Sequence, residues 1–118
     1  MLVDRFGNAF EKISTTEQDT GEKWIDGSPI YTKTIDVGQL FSGQQVHIKH
    51  GINIGHYIVV DPSYSYAFID GLYINIPKPD VNANNAISLF VSNTELVITC
   101  GSGASANSCV VTLRYTKA

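Results

Sequence analysis

The stretch TGEKWIDGSPIYTKTI, residues 20–35, constrains the fold more than any other part of the sequence. Two short runs of strand-forming residues flank Asp26-Gly27, a dipeptide that tolerates the positive φ angles of a two-residue hairpin turn. Pairing outward from that turn gives three opposed pairs: Ile25 with Ser28, Trp24 with Pro29, and Glu22 with Tyr31. In that register Pro29 belongs to a non-hydrogen-bonded pair, so its missing N–H breaks no bond between the strands. The stretch therefore predicts a β-hairpin.

Further strands follow along the chain. Apolar and polar residues alternate over residues 44–50 and 109–116, which predicts strands with one buried face. Residues 86–91 and 95–100 are predicted to be a pair of strands joined across Ser92-Asn93-Thr94. Residues 57–60 are apolar on both faces and predict a central strand that ends at Pro62 and Ser63. A second Asp-Gly, at residues 70–71, predicts a tight hairpin, with one continuous strand through the dipeptide as the alternative.

The number and spacing of these strands define the fold class. We count seven to nine strands, no convincing helix and a turn about every ten residues, which is typical of a β-sandwich or jelly roll. The prediction is an all-β protein, an antiparallel β-sandwich that is jelly-roll-like. Residues 1–19 show no clean period and are predicted to be a linker or a truncated upstream segment. Residues 20–118 are predicted to form a single β-sandwich domain.

Composition argues against several classes of function. The chain of 118 residues has a formal net charge of −3, and its eight basic residues are scattered, which argues against nucleic-acid binding. No apolar run approaches the roughly 18 residues of a membrane span, so we expect no membrane insertion. Only 16% of the residues are charged, which suits a small all-β protein or a surface partly covered by copies of itself.

The cysteines and histidines give no metal-binding pattern. Cys100 and Cys109 flank the loop GSGASANS and form either a disulfide across the base of a hairpin or two buried thiols. The start of the chain, MLVDRFGNAF, lacks the basic and apolar regions of a signal peptide, which favours reduced thiols. His47 and His50 point to opposite faces of one strand, and His56 lies beyond a turn. We therefore expect surface or turn histidines and no metal site.

Catalytic patterns are equally weak. The carboxylate pairs that the sequence offers, Asp61 with Asp70 and Asp36 with Glu95, would occur in any acidic β protein, and nothing indicates the separation that glycoside hydrolysis needs. The serines stand in no GxSxG context. We therefore expect a protein that is not an enzyme and needs no cofactor.

Aromatic residues crowd into one part of the chain. Five of them fall within 17 residues: Tyr57, Tyr64, Tyr66, Phe68 and Tyr73. Sugars are commonly held by an aromatic face together with carboxylates that accept their hydroxyl groups. The candidate ligand-binding residues are therefore Tyr64, Tyr66, Asp61 and Tyr73. Two other interpretations remain open, namely packing of these rings in the core and contacts between subunits.

Several motifs match a known family in order and spacing. The run STTEQDTGEKWIDGSPIYTKTI (14–35) is followed by VHIKHGI (46–52), ISLFV (87–91), LVITCGSG (96–103) and VTLRYTK (111–117). This series resembles the C-terminal domain of bacteriophage tail fibres and tail receptor-binding proteins, which carry S-T-x-E-Q and then G-x-x-W-I-D-G-x-P-I/L-Y-x-K-T. Cys100, Cys109 and residues 63–70 depart from that pattern.

The resemblance implies a function. It implies a β-sandwich tip module of the virion, a homotrimer that attaches the phage tail to a host cell-surface polysaccharide or receptor without catalysis. The protein would be made in the bacterial cytoplasm. Trimerisation would bury sheet edges, and threefold repetition would raise avidity for a weak sugar site. The alternatives are a purely structural trimerising virion module and an accessory carbohydrate-binding domain of a depolymerase.

Overall fold

The computed structural model describes residues 14–118, which form eight β-strands. The strands are β1 (Gln18–Lys23), β2 (Pro29–Asp36), β3 (Gln45–Lys49), β4 (Ile54–Ile69), β5 (Leu72–Asn75), β6 (Ile87–Val91), β7 (Glu95–Cys100) and β8 (Ser108–Lys117). One turn of 3₁₀-helix, Ala83–Asn85, lies in the loop between β5 and β6. The predicted all-β class and number of strands are confirmed.

The strands form two antiparallel sheets with a core between them. The larger sheet has the order β1-β2-β8-β4-β5, and the smaller has the order β3-β7-β6. Alternate residues of the two central strands are fully buried between the sheets: Cys109, Val111, Leu113 and Tyr115 on β8, and Leu96, Ile98 and Cys100 on β7. This arrangement is sandwich-like, as predicted. We call the surface of the larger sheet that faces away from this core the outer face.

A chain of hydroxyl groups crosses the outer face. The Thr112 hydroxyl donates to the Tyr64 carbonyl at 2.6 Å, so it accepts from the Thr34 hydroxyl at 2.9 Å. Thr34 in turn accepts from the backbone N–H of Ser14 at 3.0 Å. Both threonines are buried, and an unpaired hydroxyl there would cost roughly 1–3 kcal/mol. The chain therefore joins the segment before β1 to β2, β8 and β4.

The first hairpin forms, but its predicted turn is wrong. The loop has three residues, 25–27, because the Gly27 N–H donates to the Trp24 carbonyl at 2.9 Å and the Trp24 N–H donates to the Ser28 carbonyl at 2.8 Å. Gly27 has a φ of 89°, the left-handed conformation that completes a three-residue hairpin loop. The Asp-Gly dipeptide therefore marks the hairpin correctly but not the length of its loop.

The predicted register of this hairpin is wrong by one residue. Lys23, and not Trp24, lies opposite Pro29. Pro29 still loses no hydrogen bond, because the hydrogen-bonded pair is the adjacent one, Trp24 with Ser28. A shift of one residue moves a side chain to the other face of a strand, so Trp24 and Glu22 lie on the outer face. Tyr31 packs instead against the inter-sheet core.

The second hairpin is confirmed, with β4 and β5 joined by a two-residue turn. Ile69 lies opposite Leu72, and the two turn residues have φ angles of 49° at Asp70 and 83° at Gly71. Positive φ at both central residues defines a type I′ turn, the geometry that Asp-Gly favours. The alternative of a continuous strand through the dipeptide is excluded.

Strand β4 does not end at Pro62 and Ser63 as predicted, because it continues to Ile69. Its pairing with β8 is interrupted instead. Asp61 lies opposite Thr112, and Tyr66 lies opposite Val110, so five steps along β4 match two along β8. The three extra residues form a bulge, which accommodates the proline that the prediction treated as the end of the strand.

Only part of the predicted linker, residues 1–19, belongs to the described residues. Glu17 accepts hydrogen bonds from the Tyr115 hydroxyl at 2.5 Å and from Lys117 Nζ at 2.8 Å. Strand β1 begins at Gln18, inside the predicted linker. The part of the linker that the structure describes is therefore bound to the last strand of the domain.

The two cysteines are free thiols in the core. Cys100 and Cys109 are both buried and unbridged. Burial, with a smaller effect of the neighbouring Cys100, raises the pKa of Cys109 to about 12, which favours the neutral thiol. Within residues 14–118 no helix is long and apolar enough to cross a membrane.

Candidate ligand-binding face

The outer face presents two groups of aromatic side chains. Side chains alternate along a strand, and the residues of β4 paired with Val110, Thr112 and Arg114 lie on the outer face with them. These residues of β4 are Tyr66, Asp61 and Val59. Because β4 runs the length of the sheet, it contributes to both aromatic groups.

The first group, which we call the tyrosine patch, consists of Tyr66, Phe68 and Tyr73. The Tyr73 ring meets Tyr66 edge-on at 5.4 Å between ring centroids and lies 4.8 Å from Phe68. The type I′ turn causes this proximity, since it places Phe68 directly opposite Tyr73. Tyr73 is 73% exposed, while the other two rings are half-buried. An exposed ring supported by two others is a preorganised surface for stacking.

Two other predicted site residues, Asp61 and Tyr64, lie at the bulge of β4. Asp61 is on the outer face next to Tyr66, and its carboxylate accepts from the Ser63 N–H at 3.1 Å. The Tyr64 carbonyl accepts the Thr112 hydroxyl. The structure therefore brings three of the four predicted residues onto one surface and places Tyr64 in the bulge beside them.

Hydrogen bonds hold the bulge in position. The Ser65 hydroxyl donates to the Asp61 carbonyl at 2.7 Å and accepts from the Thr112 N–H at 2.9 Å. The Asn75 side-chain amide donates to the Pro62 carbonyl at 3.0 Å, which ties β5 to the bulge. The orientation of Asp61 relative to the patch is thus set by backbone and side-chain contacts on both sides.

The second group, which we call the indole cluster, consists of Trp24, His56 and Tyr57. Trp24 stacks on Tyr57 at 4.5 Å between centroids, with 21° between the ring planes. It also lies almost parallel to His56, at 6.0 Å and 12°. Sequence reasoning missed Trp24 and His56 as site residues because the predicted register paired Trp24 with Pro29. The sequence signal that could have indicated Trp24 as a site residue was the WIDG motif itself.

One ion pair of the cluster joins the first hairpin turn to β4. His56 Nε2 lies 2.6 Å from Asp26 Oδ2, and both side chains are about half exposed. Hydrogen bonds from Ser28 hold the pKa of Asp26 below its usual value, and the hydrogen bond and charge of His56 act in the same direction. The carboxylate therefore stays ionised beside the imidazole.

A second ion pair, between Arg114 and Glu22, contacts one ring of the cluster. Arg114 Nη2 donates to Glu22 Oε2 at 2.8 Å, and Arg114 also interacts with Tyr57. Desolvation lowers the pKa of Arg114, but the hydrogen bond and charge of Glu22 outweigh it and raise the pKa above its usual value. The guanidinium thus fixes one ring of the cluster and one carboxylate of its rim.

The three histidines do not meet. His47 is exposed on the smaller sheet, whereas His56 belongs to the indole cluster. His50 is buried directly after β3, where the expectation was a surface or turn histidine. Its Nδ1 accepts from the Ile52 N–H at 3.1 Å, so Nε2 carries the proton donated to the Ser92 carbonyl at 2.9 Å. No group of three or more His, Cys, Asp or Glu side chains suited to a metal occurs in residues 14–118.

The carboxylate pairs considered from the sequence are not brought together. Asp36 and Glu95 lie on different sheets, and Asp61 is at the bulge while Asp70 is in the turn at the end of β4. What the outer face offers is ring surface with carboxylate, amide and guanidinium groups around it, which is chemistry suited to binding. Comparison of the chain with protein-family models, curated proteins and solved structures found no match.

Proposed function

We propose that this chain is a non-catalytic receptor-binding domain of a bacteriophage tail fibre, which attaches the virion to a host-surface glycan. The observation that carries the proposal is the exposed Tyr73 ring, supported by Tyr66 and Phe68 on the same face as Asp61. The motifs around WIDG supply the phage assignment by resemblance. In this proposal the protein is synthesised in the bacterial cytoplasm and resides in the phage tail.

The tyrosine patch suits a sugar for physical reasons. The Tyr73 ring offers its face to the C–H surface of a pyranose, and its orientation costs little entropy because two neighbouring rings hold it. Asp61, half-buried beside Tyr66, is an acceptor for sugar hydroxyls. A single patch of this size supports only weak binding, which agrees with a domain that works in several copies.

A homotrimer would supply those copies. Three patches on one fibre tip raise avidity by orders of magnitude when the glycan repeats along a cell surface. Within the described residues, the edge strands are β1 and β5 in the larger sheet and β3 and β6 in the smaller sheet. Association between subunits would cover such edges. We propose the trimer together with the function, and no nucleic acid or membrane insertion enters the proposal.

The test is glycan binding by matched variants. Purified protein is applied to an array of bacterial lipopolysaccharides and capsular polysaccharides, and its mass is measured in parallel by light scattering. We expect binding that Tyr73→Ala abolishes and that Phe90→Ala leaves intact, because Phe90 is also an exposed ring but lies on the smaller sheet. Binding that survives Tyr73→Ala would contradict the assignment of the patch.

The alternatives predict different results. A purely structural trimerising module gives a trimer that binds no glycan. An accessory carbohydrate-binding domain of a depolymerase gives glycan binding by a monomer. Release of reducing sugar ends from the bound polysaccharide would contradict the non-catalytic assignment.

A further inference from the structure

We propose that the indole cluster is a second saccharide subsite, which takes a neutral sugar ring from the same glycan chain that the tyrosine patch binds. The inference rests on the proposed function and deepens it. It assigns to Trp24, His56 and Tyr57 a role that the sequence did not indicate, and it makes the outer face a site with two separate contact points.

The geometry of the rings carries the first part of the argument. The Trp24 ring lies within 12° of the plane of His56 and within 21° of the plane of Tyr57, so the three rings form one aromatic cluster. The cluster reaches solvent, since the His56 side chain is 48% exposed. The backbone of Trp24 is held by its turn hydrogen bonds with Gly27 and Ser28, and its indole is held by contact with His56 and Tyr57. Little freedom is therefore lost when a sugar ring stacks there.

The rim of the cluster selects the charge of the ligand. Asp26 and Glu22 are exposed carboxylates that accept hydrogen bonds from sugar hydroxyls, and Arg114 donates. Arg114, the cation of the rim, already has a carboxylate neighbour in Glu22, so it is not an unopposed positive charge. A sugar acid would have to displace Glu22 from its 2.8 Å contact with Arg114. A neutral hexose or N-acetylhexosamine meets no such competition.

The position of the cluster explains why one chain reaches both subsites. Tyr57 lies at the level of Thr116 on β8, since its neighbour Ile58 pairs with Tyr115. Tyr73 pairs with Phe68, which in turn lies at the level of Ser108. At about 3.3 Å per residue the two groups are about 26 Å apart along the sheet. That span requires an oligosaccharide of several rings, so affinity should rise with chain length.

The test uses the single tryptophan of the chain as a reporter. Neutral hexasaccharides of glucose, mannose and N-acetylglucosamine, and the corresponding disaccharides, are titrated into the protein while tryptophan emission and heat are recorded. We expect tryptophan emission to shift on addition of the hexasaccharide that releases heat. The affinity for that hexasaccharide should exceed the affinity for the corresponding disaccharide by about tenfold or more. His56→Ala should weaken hexasaccharide binding several-fold and leave disaccharide binding at the tyrosine patch unchanged.

The variants separate failure of the subsite from failure of the proposed function. Trp24→Ala should remove the advantage of the hexasaccharide, with Phe90→Ala as the matched aromatic control and circular dichroism as the test of folding. If Trp24→Ala does not fold, the emission shift of the wild type and the hexasaccharide affinity of His56→Ala still test the subsite. The subsite would be overturned if the sugar releases heat that Tyr73→Ala abolishes, while tryptophan emission does not change and His56→Ala has no effect. The proposed function would still stand in that case. Heat with none of the sugars would overturn the neutral-sugar subsite, whereas the array of bacterial glycans decides the proposed function.

Discussion

The molecule contains two hairpins that turn at the same dipeptide, Asp-Gly, and their geometries differ. At residues 70–71 the dipeptide forms the whole turn, with both residues at positive φ. At residues 26–27 the loop includes Ile25, and among the loop residues only Gly27 has positive φ. In the first loop the Ser28 N–H donates to Asp26 Oδ1 at 2.9 Å, a side-chain contact that closes the turn around an aspartate outside the left-handed region. Leu72 follows the second glycine, and Asp70 adopts a φ of 49°.

The two hairpins also attach to the domain by different interactions. In addition to its backbone pairing with β8 and the packing of Tyr31, the first is held by polar side chains: Glu17 to Tyr115 and Lys117, and Glu22 to Arg114. The second contributes Ala67 to the inter-sheet core and leads directly into Ile76, and both residues are fully buried. The first hairpin should therefore respond to protonation, and the second to loss of apolar volume. Four experiments test this contrast.

The largest effect should come from Ile76→Ala, beside the second hairpin. Ile76 is fully buried in the inter-sheet core, so the change removes apolar contacts and leaves a cavity, which costs roughly 4 kcal/mol. Ile30→Ala in the first hairpin should cost only about 2 kcal/mol, the transfer free energy alone, because Ile30 is buried outside that core. Urea unfolding measures both. Equal losses in the free energy of unfolding would show that the two hairpins do not differ in their dependence on apolar packing.

The next effect should come from Tyr115→Phe, which removes the hydroxyl that binds Glu17. Hydrogen bonds to charged groups contribute about 1.5–3 kcal/mol, and the partial exposure of Glu17 reduces the expected loss to about 1–2 kcal/mol. The control is Tyr73→Phe in the second hairpin, whose exposed hydroxyl should matter by less than about 0.5 kcal/mol. Urea unfolding that ranks the two phenylalanine variants in the opposite order would contradict the polar attachment of the first hairpin.

Acidification should loosen the first hairpin before the rest of the domain. Partial burial raises the pKa of Glu17, but hydrogen bonds from Lys117 and Tyr115 outweigh it and hold that pKa below its usual value. A depressed pKa stabilises the fold above the unfolded value, near 4.5, and this stabilisation is lost as the pH falls through the folded value. With a third of the side chain exposed, we expect a loss of about 1 kcal/mol or less.

Tryptophan emission, which reports the first hairpin, should therefore change at a higher pH than the far-ultraviolet circular dichroism of the whole domain. Glu17→Gln is the matched variant, and it should flatten the stability profile in this acidic range. Coincident transitions by both methods, unchanged in the variant, would show that Glu17 does not control the acid response.

The smallest effects should come from the two aspartates, and they should differ in kind. Asp26→Ala should lower the melting temperature, because the Ser28 N–H and His56 lose their acceptor. Asp70→Gly should stay within about 0.5 kcal/mol of the wild type, since relief of the left-handed conformation is offset by the greater flexibility of glycine when unfolded. Thermal unfolding of both variants decides whether the two turns are stabilised differently.

Local patterns predicted much of the fold. The bounds of β7, the two hairpins and the inward face of β8 all follow from alternation and turn residues, which act over a few positions. The register of the first hairpin did not follow, because an Asp-Gly dipeptide fits both a two-residue and a three-residue loop. The buried state of Thr112 was also missed, since its outward-facing hydroxyl is satisfied by residues far away in sequence.

The sequence predicted only the part of the candidate site whose residues are close together in the chain. Tyr66 and Tyr73 flank a recognisable turn, so their proximity follows from the hairpin. The indole cluster unites residues more than thirty positions apart in the chain, and no spacing rule connects Trp24 with Tyr57. Contacts of that kind depend on how β1 and β4 are placed on either side of β2 and β8, which the sequence pattern does not encode locally.

The bulge in β4 decides which residues share a surface. In an uninterrupted strand, Tyr57 and Tyr66 differ by an odd number of positions and would face opposite sides. The three extra residues after Asp61 reverse the alternation, so Ala67 enters the core and Tyr66 joins Tyr57 outside. Lengthening the bulge by two residues would preserve this parity. Adding or removing one would exchange the aromatic surface with part of the core, so evolution can vary this loop only in even steps.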